Sequence, residues 1–249
     1  MADGSAPTRL SDYKVLTFDC YGTLIDWESG MFHALRPLTQ RVERLLSRSE
    51  VLQAHAHHES SQQAQTPGKP YDQLLAIVYK RLAEQWGLTV SHEECVAYGR
   101  SVRAWPAFPD TVDALRYLKR FYRLVILSNV DNATFAASNA RLGVDFDAVV
   151  TAEDAGSYKP SLNNFHYMLD RLGSMGIAKA DILHTAESLF HDHKPANEMG
   201  LASCWIHRRH AEEGFGATMD PGARPNHDFR FTSMAEMAKA HAEQQHSLT

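Results

Sequence analysis

The feature that most constrains the fold of this chain is a repeated alternation of short apolar runs with helical patterns. The runs that have the length and composition of buried strands are Lys14–Phe18, Leu124–Ser128, Ala148–Thr151, Ile182–Thr185 and Ser203–Ile206. The helical patterns that lie between them are Thr111–Phe121, Ala133–Leu142, Ser161–Leu172 and Lys194–Met199. Alternation of this kind is typical of a parallel sheet covered by helices on both faces, so we predict an α/β fold.

The alternation is interrupted after the first run, where no second strand is predicted for roughly a hundred residues, far more than a simple crossover needs. The spacing of apolar residues predicts helices at Met31–Leu46 and Leu74–Trp86. The segment His55–Pro70 is rich in Gln, Ser and His, which predicts a loop or a frayed helix end. This part of the chain is therefore expected to be helical.

These patterns predict two domains. Residues 1–25 and 106–249 form a Rossmann-like, parallel-sheet catalytic core with helices on both faces, and residues 26–105 form an inserted all-helical cap. The segment Arg209–Asn226 is rich in Gly and Pro and is predicted to be a surface loop, followed by a last helix at Ser233–Glu243. A cap of this kind would cover the carboxyl edge of the sheet and exclude water from it.

The bulk composition of the chain excludes several functional classes. Its 249 residues carry a formal net charge of −5, which gives no sign of a nucleic-acid or membrane partner. The three cysteines are far apart and odd in number, which argues against a disulfide framework. The N-terminal residues lack the charged and apolar regions of a signal peptide, so we expect a cytoplasmic protein, with a homodimer left open.

Polar residues follow several of the predicted strands. In chain order they are Asp19 and Thr23, Ser128 and Asn129, Lys159, and Glu187, Ser188 and Asp192. Because the carboxyl ends of parallel strands meet at one edge of a sheet, we expect these side chains to converge on one crevice. A carboxylate at this edge, such as Asp19, can act as a nucleophile and form a covalent ester.

The order of these motifs and the inserted helical region resemble the haloacid dehalogenase superfamily over nearly the whole chain. The segments most similar to type II 2-haloacid dehalogenases are 18–27 (FDCYGTLIDW), 127–129 (LSN), 158–160 (YKP) and 204–206 (CWI). The resemblance implies that Asp19 displaces halide from a short 2-haloalkanoic acid through an aspartyl-ester intermediate. Water would then hydrolyse the ester and release a 2-hydroxy acid, with inversion at C2 and no requirement for a metal.

The resemblance also assigns expected roles to the other residues. Those expected to act in catalysis beside Asp19 are Lys159, Asp192 and Ser128, and those expected to contact the substrate are Thr23, Tyr21, Asn129 and Ser188. Lys159 is expected to hold the carboxylate ionised and to offset charge on the ester intermediate. Asp192 could orient Lys159 or a hydrolytic water. Each hydroxyl could instead be a plain helix cap.

Tyr21 favours a dehalogenase over a phosphatase. Phosphatases of the superfamily resemble one another in having a second acid two residues after the nucleophile, and this chain has Tyr21 there. An alkoxide leaving group benefits from a positioned acid, and an unperturbed phenol keeps its proton up to a pKa of about 10. A halide leaves as a stable anion and needs no proton. The missing acid therefore harms phosphate-ester hydrolysis and leaves carbon–halogen displacement unaffected.

Three departures from the family pattern leave alternatives open. The cap arginine of the family has no clear counterpart in Arg41–Glu59, and the tyrosine expected six residues after Lys159 is Phe165. The segment 186–192 (AESLFHD) resembles the motif of magnesium-dependent members. If Mg²⁺ is bound, the expected ligands are Asp19, the main-chain carbonyl of Tyr21, Glu187 and Asp192. The alternatives are a Mg²⁺-dependent phosphatase or phosphonatase-type hydrolase, and a family enzyme acting on another small acid.

Overall fold

The computed structural model describes residues 9–246 and contains a six-stranded sheet in which every strand pair is parallel. The strands are β1 (Val15–Phe18), β2 (Arg123–Ser128), β3 (Ala148–Thr151), β4 (Ile182–Ala186), β5 (Ala202–Ile206) and β6 (Phe229–Phe231). Their spatial order is β3-β2-β1-β4-β5-β6, which places β1 inside the sheet between β2 and β4. The predicted strands are thus confirmed, and only β6 was not predicted. Residues 1–8, including the N-terminal segment discussed above, and residues 247–249 lie outside the described residues.

Helices cover both faces of this sheet. Those that follow the inserted segment are α6 (Thr111–Leu118), α7 (Asn132–Leu142), α8 (Ala152–Ala155), α9 (Leu162–Ser174), α10 (Lys194–Glu198) and α11 (Met234–His246). Val15 belongs to a buried apolar cluster with Phe165 of α9, whereas Leu16 belongs to a second cluster with Leu115 of α6 and Met237 of α11. Because adjacent side chains of a strand face opposite ways and both faces are covered, β1 is buried along its whole length.

The segment between β1 and β2 is helical, as predicted. Its helices are α1 (Trp27–Ala34), α2 (Arg36–Thr39), α3 (Arg48–Gln65), α4 (Tyr71–Gln85) and α5 (His92–Ser101). The two connections to the core run side by side, since the Asp26 N–H donates to the Pro106 carbonyl at 2.8 Å and the Phe108 N–H donates to the Leu24 carbonyl at 3.0 Å. The exact cap boundaries at residues 26 and 105 stay a prediction.

The helix boundaries predicted for the first part of the cap differ from the observed ones. The segment His55–Pro70, predicted to be a loop or a frayed helix end, is regular helix up to Gln65, because α3 runs through it. This helix begins at a capping box in which Ser47 and Glu50 satisfy each other's backbone N–H groups. The predicted helix Met31–Leu46 is wrong beyond Thr39. Helix α1 ends before Leu35, and α2, with Pro37 in its first turn, continues only to Thr39.

A further helix, α5, was not predicted, although it begins at a second capping box formed by Ser91 and Glu94. None of the helices in the described part of the chain combines the length and hydropathy that a membrane span requires.

Candidate active site

Asp19 lies at the carboxyl end of β1, at the centre of the sheet. Its backbone N–H donates to the carbonyl of Thr185 on β4 at 3.1 Å, which fixes the residue directly after the last pair of the β1–β4 ladder. The chain then turns at Gly22, whose φ of 95° lies in the left-handed region that favours glycine. Asp19 is only 5% exposed. The carboxylate is therefore held in a buried position at the edge where parallel sheets place their chemistry.

The Lys159 ammonium contacts Asp19 from the far side of the crevice. Its Nζ donates to Asp19 Oδ1 at 2.9 Å, to Asp192 Oδ1 at 2.7 Å and to the carbonyl of Leu127 at 2.9 Å. Burial lowers the pKa of Lys159, but the two carboxylates outweigh that effect and raise it above the ordinary value. Lys159 is thus a charged group with all three of its N–H donors engaged.

Asn129 positions this lysine through its main chain. The Lys159 backbone N–H donates to Asn129 Oδ1 at 2.6 Å, and Asn129 Nδ2 donates back to the Lys159 carbonyl at 3.0 Å. The side-chain amide of Asn129 therefore joins the carboxyl end of β2 to the loop that carries Lys159. Asn129 also lines the cavity, so the predicted substrate contact is compatible with its place.

Asp192 is held by a buried chain of hydrogen bonds that the sequence did not predict. Its Oδ1 contacts His184 Nε2 at 2.9 Å, and His184 Nδ1 contacts Thr17 Oγ1 at 2.9 Å. All three side chains are fully buried. Burial opposes the charge of Asp192, but Lys159 and His184 outweigh it and hold its pKa below the usual range. Asp192 is therefore ionised. A histidine inside the otherwise apolar run of β4 was the signal that could have revealed this chain.

Thr23 completes the contacts of the nucleophile. Its Oγ1 donates to Asp19 Oδ2 at 2.7 Å and accepts from the Glu187 backbone N–H at 2.9 Å, so the hydroxyl has one defined orientation. Burial raises the pKa of Asp19 above its ordinary value, with Lys159 opposing and Asp192 adding to the rise. Burial and Asp192 thus oppose the ionised form of Asp19, whereas Lys159 and Thr23 favour it.

Three other predicted residues occupy different surroundings. Tyr21 lines the cavity and its hydroxyl lies 2.6 Å from Ser138 Oγ, while burial raises its pKa well above the usual value. Ser188 also lines the cavity, and its Oγ accepts from the His191 N–H at 3.0 Å, as a helix cap does. Ser128 is fully buried at the end of β2, and among residues 9–246 its Oγ has no hydrogen-bond partner. It does not line the cavity.

Among the described residues, the acids named as conditional magnesium ligands do not form one metal-binding group. The Lys159 ammonium already bridges Asp19 and Asp192, so each carboxylate has one oxygen committed to it. Glu187 lines separate cavities, one of them with Glu28 and Arg209, and burial raises its pKa to about 8. Across residues 9–246, no group of three or more His, Cys, Asp or Glu side chains could hold a metal ion. The conditional ligand set of Asp19, Glu187 and Asp192 is therefore not assembled.

A cavity of about 40 Å³ lies next to Asp19, Lys159 and Asp192. The cap and the loop after β5 contribute lining residues that the sequence did not single out, namely Glu59, Gln63, Tyr71 and Thr218. His191 lines it too, and burial lowers its pKa. Glu59 and Gln63 are one helical turn apart, a spacing that would have paired them had α3 been recognised. A larger cavity of about 650 Å³ on α4 and α5 shares no lining residue with this one.

The loop formed by residues 207–226 is tied to the first cap helix through one carboxylate. Glu28 of α1 forms an ion pair with Arg209, and it also accepts from the Ala217 N–H at 2.9 Å. Thr218, the next residue, lines the cavity beside Asp19. The loop predicted only as a surface segment therefore forms one wall of the site.

The profile of the haloacid dehalogenase-like hydrolase family matches residues 13–185. A glyceraldehyde 3-phosphate phosphatase of Methanocaldococcus jannaschii is 29% identical over 145 residues, which cover 56% of this chain. The chain spans 60% of the length of that curated relative.

Several solved structures have the same fold. An L-2-haloacid dehalogenase has a TM-score of 0.74 at 22% identity, covering 93% of this chain and 99% of its own. The L-2-haloacid dehalogenase of Xanthobacter autotrophicus with chloropropionic acid covalently bound has a TM-score of 0.73 at 18% identity, covering 91% and 97%. A magnesium-bound HAD-hydrolase of Bacillus subtilis has a TM-score of 0.70 at 19% identity, covering 92% and 99%. At these identities the likeness shows the fold alone.

Proposed function

Because the chain belongs to the family of haloacid dehalogenase-like hydrolases, we propose that it is a hydrolytic dehalogenase that acts through an ester on Asp19. The observation that carries the proposal is the arrangement around that carboxylate. Lys159 and Thr23 each contact one of its oxygens, and Tyr21 stands where a phosphatase needs an acid. The substrates to test first are short 2-haloalkanoic acids, which would give 2-hydroxy acids.

The proposed reaction has two steps. A carboxylate oxygen of Asp19 attacks C2, the new C–O bond forms as the carbon–halogen bond breaks, and halide leaves with the electron pair. Water then attacks the carbonyl carbon of the ester, which releases the hydroxylated product and a proton and restores Asp19. Inversion is expected because only the first step changes bonds at C2. Lys159 favours the ionised form of Asp19 against its burial and offsets negative charge on the ester intermediate.

The surroundings of Tyr21 support carbon–halogen displacement over phosphate-ester hydrolysis. Its phenol is hydrogen-bonded to Ser138, and its ring packs against Trp105 and Tyr71. With a pKa raised by burial, this phenol is a poor proton donor to a departing alkoxide. Halide needs no such donor.

A phosphatase is the second candidate, and the match to a glyceraldehyde 3-phosphate phosphatase favours it. Such an activity would be expected to depend on magnesium, for which the described side chains offer no assembled ligand set. The two candidates therefore differ in product and in response to a chelator.

One assay separates the two. The protein is incubated with chloroacetate, bromoacetate, fluoroacetate and 2-chloropropionate, with Mg²⁺ or with a chelator, and halide is measured beside a parallel phosphate-release screen. We expect halide release that the chelator leaves unchanged and that Asp19→Asn abolishes. Phosphate release that the chelator removes would favour the second candidate, and halide release by Asp19→Asn would refute the ester mechanism.

A further inference from the structure

The cap wall of the cavity contains a buried acid held by hydrogen-bond donors. Glu59 of α3 is 6% exposed, and its Oε1 accepts from the Tyr71 hydroxyl at 2.8 Å and from Gln63 Nε2 at 3.1 Å. His55 Nδ1 lies 3.4 Å from the other oxygen, Oε2. Among residues 9–246 the hydrogen bonds to this carboxyl group end on Oε1, and the contact of Oε2 with His55 is an ion pair only when the imidazole is protonated, although a carboxylate has several acceptor positions. The Glu59 carboxyl group therefore keeps accepting capacity beside the cavity.

The charges around the cavity disfavour an anion. Three acids line it, Asp19, Glu59 and Asp192, against the single lysine Lys159. All three N–H donors of that lysine are engaged by protein oxygens. His191 lines the cavity as well, and burial favours its neutral form. A substrate anion bound in this cavity would lie against acids on two walls, and none of the described lining residues would offer it an unpaired positive charge.

The arginines of the cap do not supply that cation. Arg41 forms an ion pair with Glu94 at 2.9 Å, and Arg44 forms one with Glu50 at 2.8 Å. The Arg48 guanidinium lies over the ring of Phe32, 5.2 Å from its centroid. None of the cavity-lining residues in the described part of the chain is an arginine. The cap therefore offers Glu59 and Gln63 at the place where a carboxylate-binding site would need a positive charge.

We propose that Glu59 and Gln63 select a short halogenated substrate whose group next to the reactive carbon is an uncharged hydrogen-bond donor, such as a primary amide, rather than a carboxylate. This inference rests on the proposed dehalogenase function, and it replaces the 2-haloalkanoic acids named there with their uncharged amides as the preferred substrates. The amide N–H would donate to Glu59, and the amide oxygen could accept from Gln63. The adjacent carbon would remain next to Asp19. The amide would be preferred because bringing a substrate carboxylate against the buried carboxylate of Glu59 is strongly unfavourable.

The first arm of the test compares a neutral and an anionic substrate of nearly equal shape. Halide release is measured with chloroacetamide and chloroacetate, and background reaction without enzyme is subtracted. In the wild type we expect kcat/KM for the amide to exceed that for the acid by about tenfold or more. Glu59→Gln, which keeps the shape and removes the charge, should bring the ratio down by about the same factor. Glu84→Gln, at an exposed position of α4, is the matched control and should keep the wild-type ratio.

The second arm does not depend on the reaction. Binding of propionamide and propionate, which carry no halogen, is measured by ligand-observed NMR with the wild type and with Glu59→Gln. Preferential binding of propionamide that Glu59→Gln removes supports the inference, even where no halide is released and the proposed dehalogenation itself fails. Equal or tighter binding of propionate by the wild type, or no binding of either compound, overturns it. Halide release that favours chloroacetate overturns it too, while leaving the dehalogenase proposal standing.

Discussion

Replacing Lys159 by methionine tests the electrostatics of the site most directly. Methionine fills a similar volume, but the change removes the ammonium that contacts Asp19 Oδ1 at 2.9 Å and Asp192 Oδ1 at 2.7 Å. It also leaves the Leu127 carbonyl without its donor. Removing one partner of a buried ion pair typically costs about 3–5 kcal/mol. We therefore expect the free energy of unfolding of Lys159→Met to fall by at least about 3 kcal/mol near neutral pH.

The pH dependence of this loss has a defined sign. Without the ammonium, two buried carboxylates face each other, so one of them acquires a pKa above its unfolded value. A raised folded-state pKa contributes stability that is present at low pH and is lost as the pH rises through that value. Lys159→Met should therefore be less destabilised at about pH 5 than at about pH 8. Adding Asp19→Asn removes one of the two acids and should recover part of the loss.

The assay is urea unfolding followed by circular dichroism at both pH values, with Lys14→Met as the matched control. Lys14 forms an exposed ion pair with Asp181, with its side chain 75% exposed, so its replacement should change the free energy of unfolding by at most about 1 kcal/mol. A Lys159→Met protein that loses no more than the control does, or that is more destabilised at the lower pH, would refute the reasoning.

Three further changes test the surrounding contacts. Thr23→Val removes the hydroxyl that joins Asp19 to the Glu187 N–H. We therefore expect the free energy of unfolding, measured by urea unfolding, to fall by about 1–3 kcal/mol. Thr23→Ser keeps the hydroxyl and should be close to wild type. Because the pKa of Glu187 is raised from 4.5 to about 8, its contribution to stability should be lost as the pH rises between those values. Glu187→Gln should therefore show a flatter fall in melting temperature over that range, and an unchanged slope would contradict the assignment. His184→Leu removes one of the two side-chain donors to Asp192 Oδ1 and should cost about 1–3 kcal/mol. His184→Gln, which keeps a donor, should restore part of that loss in the same urea titration.

The core and the centre of the site were predictable because both follow from strand ends. The strands are short, buried and mostly apolar, and parallel strands bring Asp19, Lys159 and Asp192 to one edge whatever the details of packing. These three residues were expected to meet, and the structure brings them within hydrogen-bond distance.

The cap side of the site was much harder to predict. Helix α3 buries one narrow face of an otherwise polar sequence, so the apolar periodicity that reveals helices is weak in it. Glu59 therefore lies in the segment that the sequence predicts to be a loop or a frayed helix end. His184 and Thr17 contact each other across β1 and β4, and pairing between strands 167 residues apart depends on the register of the sheet rather than on any local pattern.

The link between Glu28 and the loop after β5 has a consequence for the rate of turnover. The cavity of about 40 Å³ is small for a halogenated acid, so we expect its walls to adjust when a substrate binds. Glu28 belongs to the first cap helix and binds Arg209 and the Ala217 N–H of the loop. Any movement that separates the cap helix from this loop therefore breaks the ion pair to Arg209 and the hydrogen bond to Ala217. We expect Glu28, which does not line the cavity beside Asp19, to influence how quickly product leaves.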